Sequence, residues 1–586
     1  MKLKISNIRI QNYRNLKEIS IELNRIVIFI GENNCGKSNL LRAIALPFMN
    51  DEIGIVNKNL GWQDINNSAK DLYFKYIQDN KNRIANDEVA LEEFIPVVPS
   101  VTVEVSFYPD GEDTYFVRRW IKSIDDVPPE YSIQYRFAVN NPKDLLQHVS
   151  IILRDNDSID KIKMNLLPIE LYKYSIIVSS TGEQVSINDL SNFKYNSLAA
   201  ERDEFSNRST QIGSKALINL LQNKLTEGQK VEIEKSYEQF FTDLKKISSM
   251  DGIFNWHEFS SIENAKDFFN EITLLPNMPA MSSLLNNIRL GFKDEYLNTQ
   301  GLGYRNLIYL LVMINSLNLN EEIALNILTI EEPEAHLCVS NEHLLASFIN
   351  TLMDSSKHLQ VFISTHSSEF INKLQLENVT VISEGSGYSL KSTLTGEQLD
   401  YLAKKPNLDF LKFLFSRKCI LVEGPTEEML IKSYLSSRTN VLNDIEVISV
   451  HKGFTKMIEI WLKVNLNSTH RLGIIRDFDN QPKAQEDHEK YNLYENVYIT
   501  TTSEYTLEPE FVQTNGNFEI LKNYFVSNHG WADITSPIEL SEQWKSAKAD
   551  TMLKFCRDFG KDELENVELP QHITRVLKFL HCGEKE

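Results

Sequence analysis

Apolar and polar residues alternate through the first 30 positions. Leu3, Ile5, Ile8 and Ile10, then Ile19, Ile21 and Leu23, mark one face, a period that predicts two or three strands. A continuous apolar strand, Ile26 to Ile30, follows and runs into a glycine-bearing turn. Residues 51–95 are polar and mixed, which predicts helix and loop. Val97 to Phe107, Tyr115 to Ile121 and Ser132 to Val139 read as short strands of an antiparallel side sheet. From about Asn196 to Lys246 the spacing turns helical, with Ala216, Leu217, Leu220, Leu221 and Leu225 on one face and Tyr237, Phe240, Phe241 and Leu244 later. Such an insertion either pairs with a second copy or packs on its own chain. Buried-type strands return at Ala324 to Ile330, Leu359 to Ile363, Lys418 to Val422 and His470 to Ile475. Joints are expected near 270–280, at Pro276 and Pro279, and near 395–408, at Thr395, Gly396 and Pro406.

The turn after Ile30 is Gly31-Glu32-Asn33-Asn34-Cys35-Gly36-Lys37-Ser38, which fits GxxxxGK[ST] at every fixed position; Asn39 to Ile44 continues with helical spacing. Glycines let backbone N–H groups turn inward around phosphate oxygens, and the following helix points its positive end at them. Asn33, Asn34, Gly36, Lys37, Ser38 and Asn39 are therefore the candidate nucleotide-binding set, with Lys37 for the β- and γ-phosphates and Ser38 for Mg²⁺. Strand Ala324 to Ile330 delivers Glu331 and Glu332 to its end, a Walker B pattern. Glu331 takes the metal role there and Glu332 the general-base role. A later strand ends in Ser364-Thr365-His366, where His366 can sense the γ-phosphate. Gly301 and Gly303, in Gln300-Gly301-Leu302-Gly303-Tyr304-Arg305-Asn306, open an apolar helix that could bind the γ-phosphate held by a second subunit.

A second chemistry lies further on. One strand ends in Glu423-Gly424-Pro425, with a helix starting near Thr426, and another ends in Asp477-Phe478-Asp479. Alternate residues of a strand point the same way, so these ends can bring three carboxylates to one hard-cation site suited to phosphodiester chemistry.

Charge narrows the options. The chain carries 61 Lys+Arg against 81 Asp+Glu, a net −20, which excludes a protein that coats nucleic acid through bulk positive charge. Residues 410–586 hold 21 Lys/Arg against 27 Asp/Glu, so any DNA path there rests on a few residues such as Arg417, Lys418, Lys452 and Lys456. Cys35, Cys338, Cys419, Cys556 and Cys582 lack CxxC spacing, which points away from a zinc site or a disulfide framework and toward a reducing cytoplasm. No run of 18 uncharged apolar residues appears and the N-terminus lacks a signal-peptide core, so a soluble intracellular protein is expected.

The ordered set GENNCGKS, QGLGYRN, ILTIEEPEAHL and FISTHS resembles the ABC-type ATPases of the RecF/SMC group, and IEEPEAHL is especially similar to the OLD (overcoming lysogenization defect) family. VEGPTEE with DFD resembles the Toprim domain of topoisomerases, primases and OLD nucleases. The resemblance implies an α/β chain. It would consist of an ABC-type P-loop ATPase head (1–190 and 276–395) with a helical dimerisation insertion (191–275), then a Rossmann-like Toprim nuclease domain with a helical extension (410–586). It implies that Glu423, Asp477 and Asp479 form the main metal site, that Glu427 helps a second, and that Glu508 and Glu510, in SEYTLEPE, are further ligands. Lys545 or Lys548, with Lys548 preferred, would stabilise the transition-state phosphate. It further implies ATP, Mg²⁺ with Mn²⁺ or Ca²⁺ as alternatives, a DNA substrate, a homodimer or larger assembly, and a role like that of Gabija or retron-associated anti-phage nucleases, with a helicase-like or reverse-transcriptase partner. Three departures stand out: QGLGYRN in place of LSGGQ, Glu331 where an Asp is usual, and Cys338 where the OLD pattern has a second His. They make tight nucleotide binding with slow hydrolysis an expected variant. The alternative is a nucleotide-switched DNA-binding scaffold with an inactive Toprim fold.

Overall fold

The computed structural model describes residues 3–50, 57–109, 111–123, 129–155, 159–199, 217–248 except 219 and 223, 261, 285–317 except 286, 287 and 289, 323–383, 386–405, 408–437, and 444–585 except 452, 467, 532, 533, 561–563 and 565. They form two compact units, Met1–Leu374 with Ile382–Gly387, and Gln375–Val381 with Tyr388–Glu586. Residues 388–395, placed with the ATPase on sequence, group with the second unit. Ala216, Lys452, Pro406 and the joint at Pro276 and Pro279 lie outside the described residues.

In the first unit the alternating start of the chain forms Lys4–Tyr13 and Leu16–Glu22, an antiparallel pair that buries Ile8, Ile10, Ile19 and Ile21. Val101–Tyr108, Glu130–Val139, Ile121–Ser123 and Tyr172–Val178 complete an antiparallel sheet. Against it stands a parallel sheet whose neighbours run Ile26–Ile30, Leu359–Ser364, Leu325–Glu331, Phe193–Leu198, Met49–Asn50. The P-loop, His366 and the Walker B acids thus follow the ends of three adjacent parallel strands. Phe48, Phe107, Trp120 and Phe193 pack together with ring centroids 5.0–6.2 Å apart and form part of the core.

Two expectations are corrected. Tyr115 to Ile121 is strand only at Ile121: Thr114–Val117 is α-helical and Arg118–Trp120 a 3-10 turn. Its buried residues, Val117 and Trp120, lie three apart while Arg118 and Arg119 face water, a helical spacing. Nor does the helical insertion begin at Asn196, because Phe193–Leu198 pairs in parallel with the Walker B strand. Phe193, Tyr195 and Leu198 drive that strand into the core. Within the insertion, Glu227–Ser248 is a helix that leaves Val231 and Phe240 exposed.

Gln360 joins the two sheets of this unit. Its fully buried amide accepts from the Ile5 N–H at 2.8 Å and donates to the Ile5 and Asn24 carbonyls at 2.9 and 2.8 Å. The pairing of Lys4–Tyr13 with Leu16–Glu22 ends at Asn7, and the side chain of Gln360 takes up the Ile5 N–H and carbonyl beyond it.

The second unit holds a four-stranded parallel sheet in the order Ile445–Ser449, Lys418–Val422, Arg471–Arg476, Val497–Thr501. The chain steps outward from Lys418–Val422 to one side and then returns to the other. Order therefore reverses between Lys418–Val422 and Arg471–Arg476, and the loops beyond those two strands diverge to leave a crevice. Among the described residues no helix is long and apolar enough to cross a membrane.

Candidate functional site

The P-loop strand ends at Ile30, and the helix Lys37–Ala45 begins after Gly36, which is left-handed at φ +114°. A Cβ at Gly36 would stand 2.8 Å from Leu16 Cδ2 and 2.9 Å from Asn15 Oδ1, so only glycine fits. The buried Lys37 ammonium donates to the Gly31 and Glu32 carbonyls at 2.9 and 3.0 Å, completing the loop from within. Asn39 is committed to the preceding hairpin: its Oδ1 accepts from Arg14 Nη1 and its Nδ2 donates to Asn15 Oδ1, both at 2.8 Å. Asn15 in turn donates to the Asn34 carbonyl at 3.0 Å, while Arg14 pairs with Asp64 at 2.8 Å. Asn33 and Ser38 are exposed at the loop's rim.

Glu331 ends its strand opposite Ser364, and Glu332 follows in a left-handed conformation, φ +43°. His366 is held by its backbone N–H, which donates to Glu334 at 2.7 Å. Burial, with Lys37 nearby, keeps the His366 imidazole below its usual range and therefore neutral at pH 7, despite the opposing Glu332 charge. Burial likewise raises Glu334. Lys37, Glu332, Glu334 and His366 thus share one electrostatic site.

Gly301 and Gly303 have separate roles. A Cβ at Gly301 meets open space, whereas one at Gly303 would lie 2.5 Å from the His336 carbonyl oxygen, so the helix Leu302–Leu317 packs backbone against the loop behind the Walker B acids. Gly303→Ala is expected to destabilise the chain by about 1–3 kcal/mol through overpacking, and Gly301→Ala by well under half of that. Chemical denaturation of the two variants checks this; equal midpoints would remove the packing role.

In the second unit Glu423 and Asp477 follow the two strands that flank the crevice, and the Asp477 N–H donates to Glu423 at 3.3 Å. Glu427, in the first turn of Pro425–Ser437, turns back to accept from the Gly424 N–H at 2.9 Å. Glu508 and Glu427 are almost fully buried, and Lys548 lies 3.0 Å from the first and 3.8 Å from the second. Burial opposes the Lys548 charge, but Glu508 and Glu427 hold its ammonium above the ordinary lysine range. Lys545 instead pairs with Glu542, three residues back on its own helix. As the side chains stand, no three His, Cys, Asp or Glu among the described residues are arranged to ligate one ion. The Lys548 ammonium lies between Glu427 and Glu508, and the buried Arg476 acts on Glu423, Asp477 and Asp479, so the five acids still outnumber the cations beside them. Hard oxygen donors with that excess of negative charge suit a divalent cation. Glu510 is spent elsewhere: one oxygen meets His572 Nδ1 at 2.7 Å and the other accepts from the Ser503 N–H at 2.6 Å. Of the basic residues expected along a DNA path, Lys418 pairs with Asp444 and Lys456 with Glu397.

The family profile described as AAA ATPase domain matches residues 3–371, and the one described as Overcoming lysogenization defect protein-like, TOPRIM domain matches residues 414–479. The chain belongs to the AAA ATPase domain family and carries an OLD-like Toprim domain. This OLD-like ATPase is similar to Endonuclease GajA of Bacillus cereus strain HuB5-5, 20% identical over 498 residues that cover 74% of this chain and 67% of that one. The GajA of strain VD045 is 23% identical over 446 residues, covering 74% and 68%. Old nuclease of Escherichia phage P2 is 22% identical over 479 residues, covering 77% and 73%. Nucleotide and divalent-metal use follow from the two domains.

Burial, then the like charge of Glu427, pushes the Asp477 carboxyl up to about 8, with Glu423 and Glu508 adding to the rise and Lys548 opposing it. The folded value lies above the ordinary 3.8, so the contribution to stability is present in full below 3.8 and is lost as pH rises through about 8. The metal-free OLD-like ATPase is therefore expected to melt progressively lower between about pH 4 and pH 8, and Asp477→Asn to flatten that slope. Melts in chelator test it; parallel slopes would exclude Asp477 as the group responsible.

Sequence reasoning missed Arg14, Asn15, Glu334 and His572. The first two had a signal, a polar Asn-Tyr-Arg-Asn turn between two amphipathic strands just ahead of the P-loop, and Asn12 and Arg14 both adopt positive φ there. Glu334 stood two residues past the Walker B pair. His572 carried none.

Proposed function

We propose that this OLD-like ATPase is a nucleotide-gated, divalent-metal-dependent DNA endonuclease of anti-phage defence. Mg²⁺ would be its working ion, with Mn²⁺ or Ca²⁺ able to take the place. The observation that carries the reading is the burial of Glu427, Asp477 and Glu508 beside Glu423 and Lys548 at the crevice where strand order reverses. Folding does not gather and bury that many carboxylates unless another interaction offsets the cost. The nuclease names of the related GajA and Old proteins support the same reading.

In this reading Glu423, Asp477 and Asp479 hold one ion, and Glu427 with Glu508 a second. Bound divalent ions supply an activated water and a charge that stabilises the leaving oxygen. Lys548 donates to a non-bridging oxygen of the scissile phosphate and offsets the charge that builds there. In the ATPase, Lys37 and Ser38 bind the phosphates and their metal, Glu331 completes the metal shell, Glu332 orients water, and the neutral His366 donates to the γ-phosphate. We assign residues 1–198 and 276–374 with 382–387 to the ATPase, 199–275 to a dimerisation arm and 410–586 to the nuclease. The working unit is a homodimer or larger assembly in the cytoplasm, with a helicase-like protein or a retron reverse transcriptase and its DNA as the partner.

Supercoiled plasmid treated with the purified chain, with Mg²⁺ or Mn²⁺ and with or without ATP, tests the proposal. Metal-dependent nicking or linearisation is expected, and its change with ATP gives the direction of the gate. Intact plasmid under every combination, with a candidate partner also present, would count against a nuclease.

A further inference from the structure

We infer that Glu510 and His572 form a buried clamp that positions the Asp477–Asp479 turn, and that Glu510 is not itself a metal ligand; this deepens the nuclease reading and rests on it. Both oxygens of Glu510 are taken, one by His572 Nδ1 at 2.7 Å and one by the Ser503 N–H at 2.6 Å. His572 is 5% exposed, and its own carbonyl accepts from Thr500 Oγ1 at 3.0 Å, which ties the helix Gln571–Cys582 to the strand Val497–Thr501. The clamp thereby fixes the segment that starts at Ser503. That segment supports the acid turn: the Phe478 N–H donates to Thr502 Oγ1 at 2.9 Å, the Asp479 N–H donates to the Tyr505 carbonyl at 3.1 Å, and the Thr502 N–H donates to the Arg476 carbonyl at 3.0 Å. The turn needs outside support, because Asp479 and Asn480 adopt left-handed conformations, φ +50° and +53°, without being glycine. The same segment leads into the helix Leu507–Gln513, which carries Glu508. One buried pair therefore sets the spacing between Asp479 and Glu508, two of the acids assigned to the metals.

Glutamine can keep both contacts, its oxygen accepting from Ser503 and its amide N–H donating to His572 Nδ1 in the tautomer that carries hydrogen on Nε2, whereas alanine keeps neither. Two measurements on the full chain test the clamp. In Mn²⁺ titrations followed by electron paramagnetic resonance, Glu510→Gln is expected to bind within about threefold of wild type, and Glu508→Gln about tenfold or more weakly. In chelator, hydrogen exchange across 477–480 and 503–506 is expected to rise about tenfold in both Glu510→Ala and His572→Ala and to stay at the wild-type level in Glu510→Gln. Loss of Mn²⁺ affinity in Glu510→Gln equal to that in Glu508→Gln would overturn the inference, as would unchanged exchange in the two alanine variants. A wild-type chain that binds no Mn²⁺ would fail the nuclease reading alone, since the exchange measurement in chelator still decides the clamp.

Discussion

Plasmid cleavage by the Asp477→Ala chain is expected to fall by about a thousandfold or more, roughly 4 kcal/mol of lost transition-state stabilisation. Asp477 follows one of the two strands flanking the crevice, is almost fully buried, and feels Glu427, Glu423, Glu508 and Lys548. Above pH 8, where its carboxyl is ionised, removing it also relieves repulsion among the remaining acids, so there the variant should melt no lower than wild type in chelator. Nucleotide affinity should stay within about twofold, because the phosphate-binding loop belongs to the other compact unit and shares no side chain with the acids. Gel quantification of nicked and linear plasmid beside a nucleotide titration reads both effects. Wild-type cleavage by this variant would move the metal chemistry to other residues.

Lys37→Ala is expected to weaken ATP binding about 10- to 100-fold, the range set by losing a charge-assisted hydrogen bond of roughly 1.5–3 kcal/mol. The ammonium now closes the loop on the Gly31 and Glu32 carbonyls, and burial holds its pKa below the ordinary lysine value. A phosphate would exchange two neutral acceptors for an anionic one, and the gain is greatest where the cation is already desolvated. Calorimetric titration with a slowly hydrolysed ATP analogue measures the loss. Equal affinities for variant and wild type would leave the P-loop without a role in nucleotide binding. If nucleotide gates the nuclease, the same variant should also cut plasmid at a rate that no longer depends on ATP.

The motifs that chemistry forces into one contiguous stretch were legible. Phosphate binding requires glycines, Lys37 and Ser38 in fixed order at a strand-to-helix turn, and the strands that end in Glu331, Glu423 and Asp477 are apolar because both faces of each sheet are covered. Details that depend on the local path were less so. Glu508 and Glu510 look equivalent two positions apart, as they would be on a strand. They lie on a short helix, where residues two apart diverge, and Glu510 turns to His572. Lys545 and Lys548 would share the face of an unbroken helix, but the backbone leaves helical geometry at Ala547, φ −138°, and only Lys548 reaches the acids. The glycines of QGLGYRN invited a phosphate-binding role for both, yet Gly303 answers to a carbonyl more than 30 positions ahead. A sequence shows which residue is small, not what it must clear.

Gln360 carries a consequence for how the chain is made. The strand Lys4–Tyr13 has the N–H of Ile5 satisfied by a side chain 355 positions later. At ordinary elongation rates that partner emerges roughly 20–70 s afterwards. Until then the Ile5 amide and carbonyl lie open beyond the end of the pairing with Leu16–Glu22, the kind of exposed backbone that recruits foreign strands. Synthesis of the first unit therefore passes through a long window in which its N-terminal sheet is incomplete, and a chaperone that covers strand edges would raise the yield of active protein more than one acting only after release.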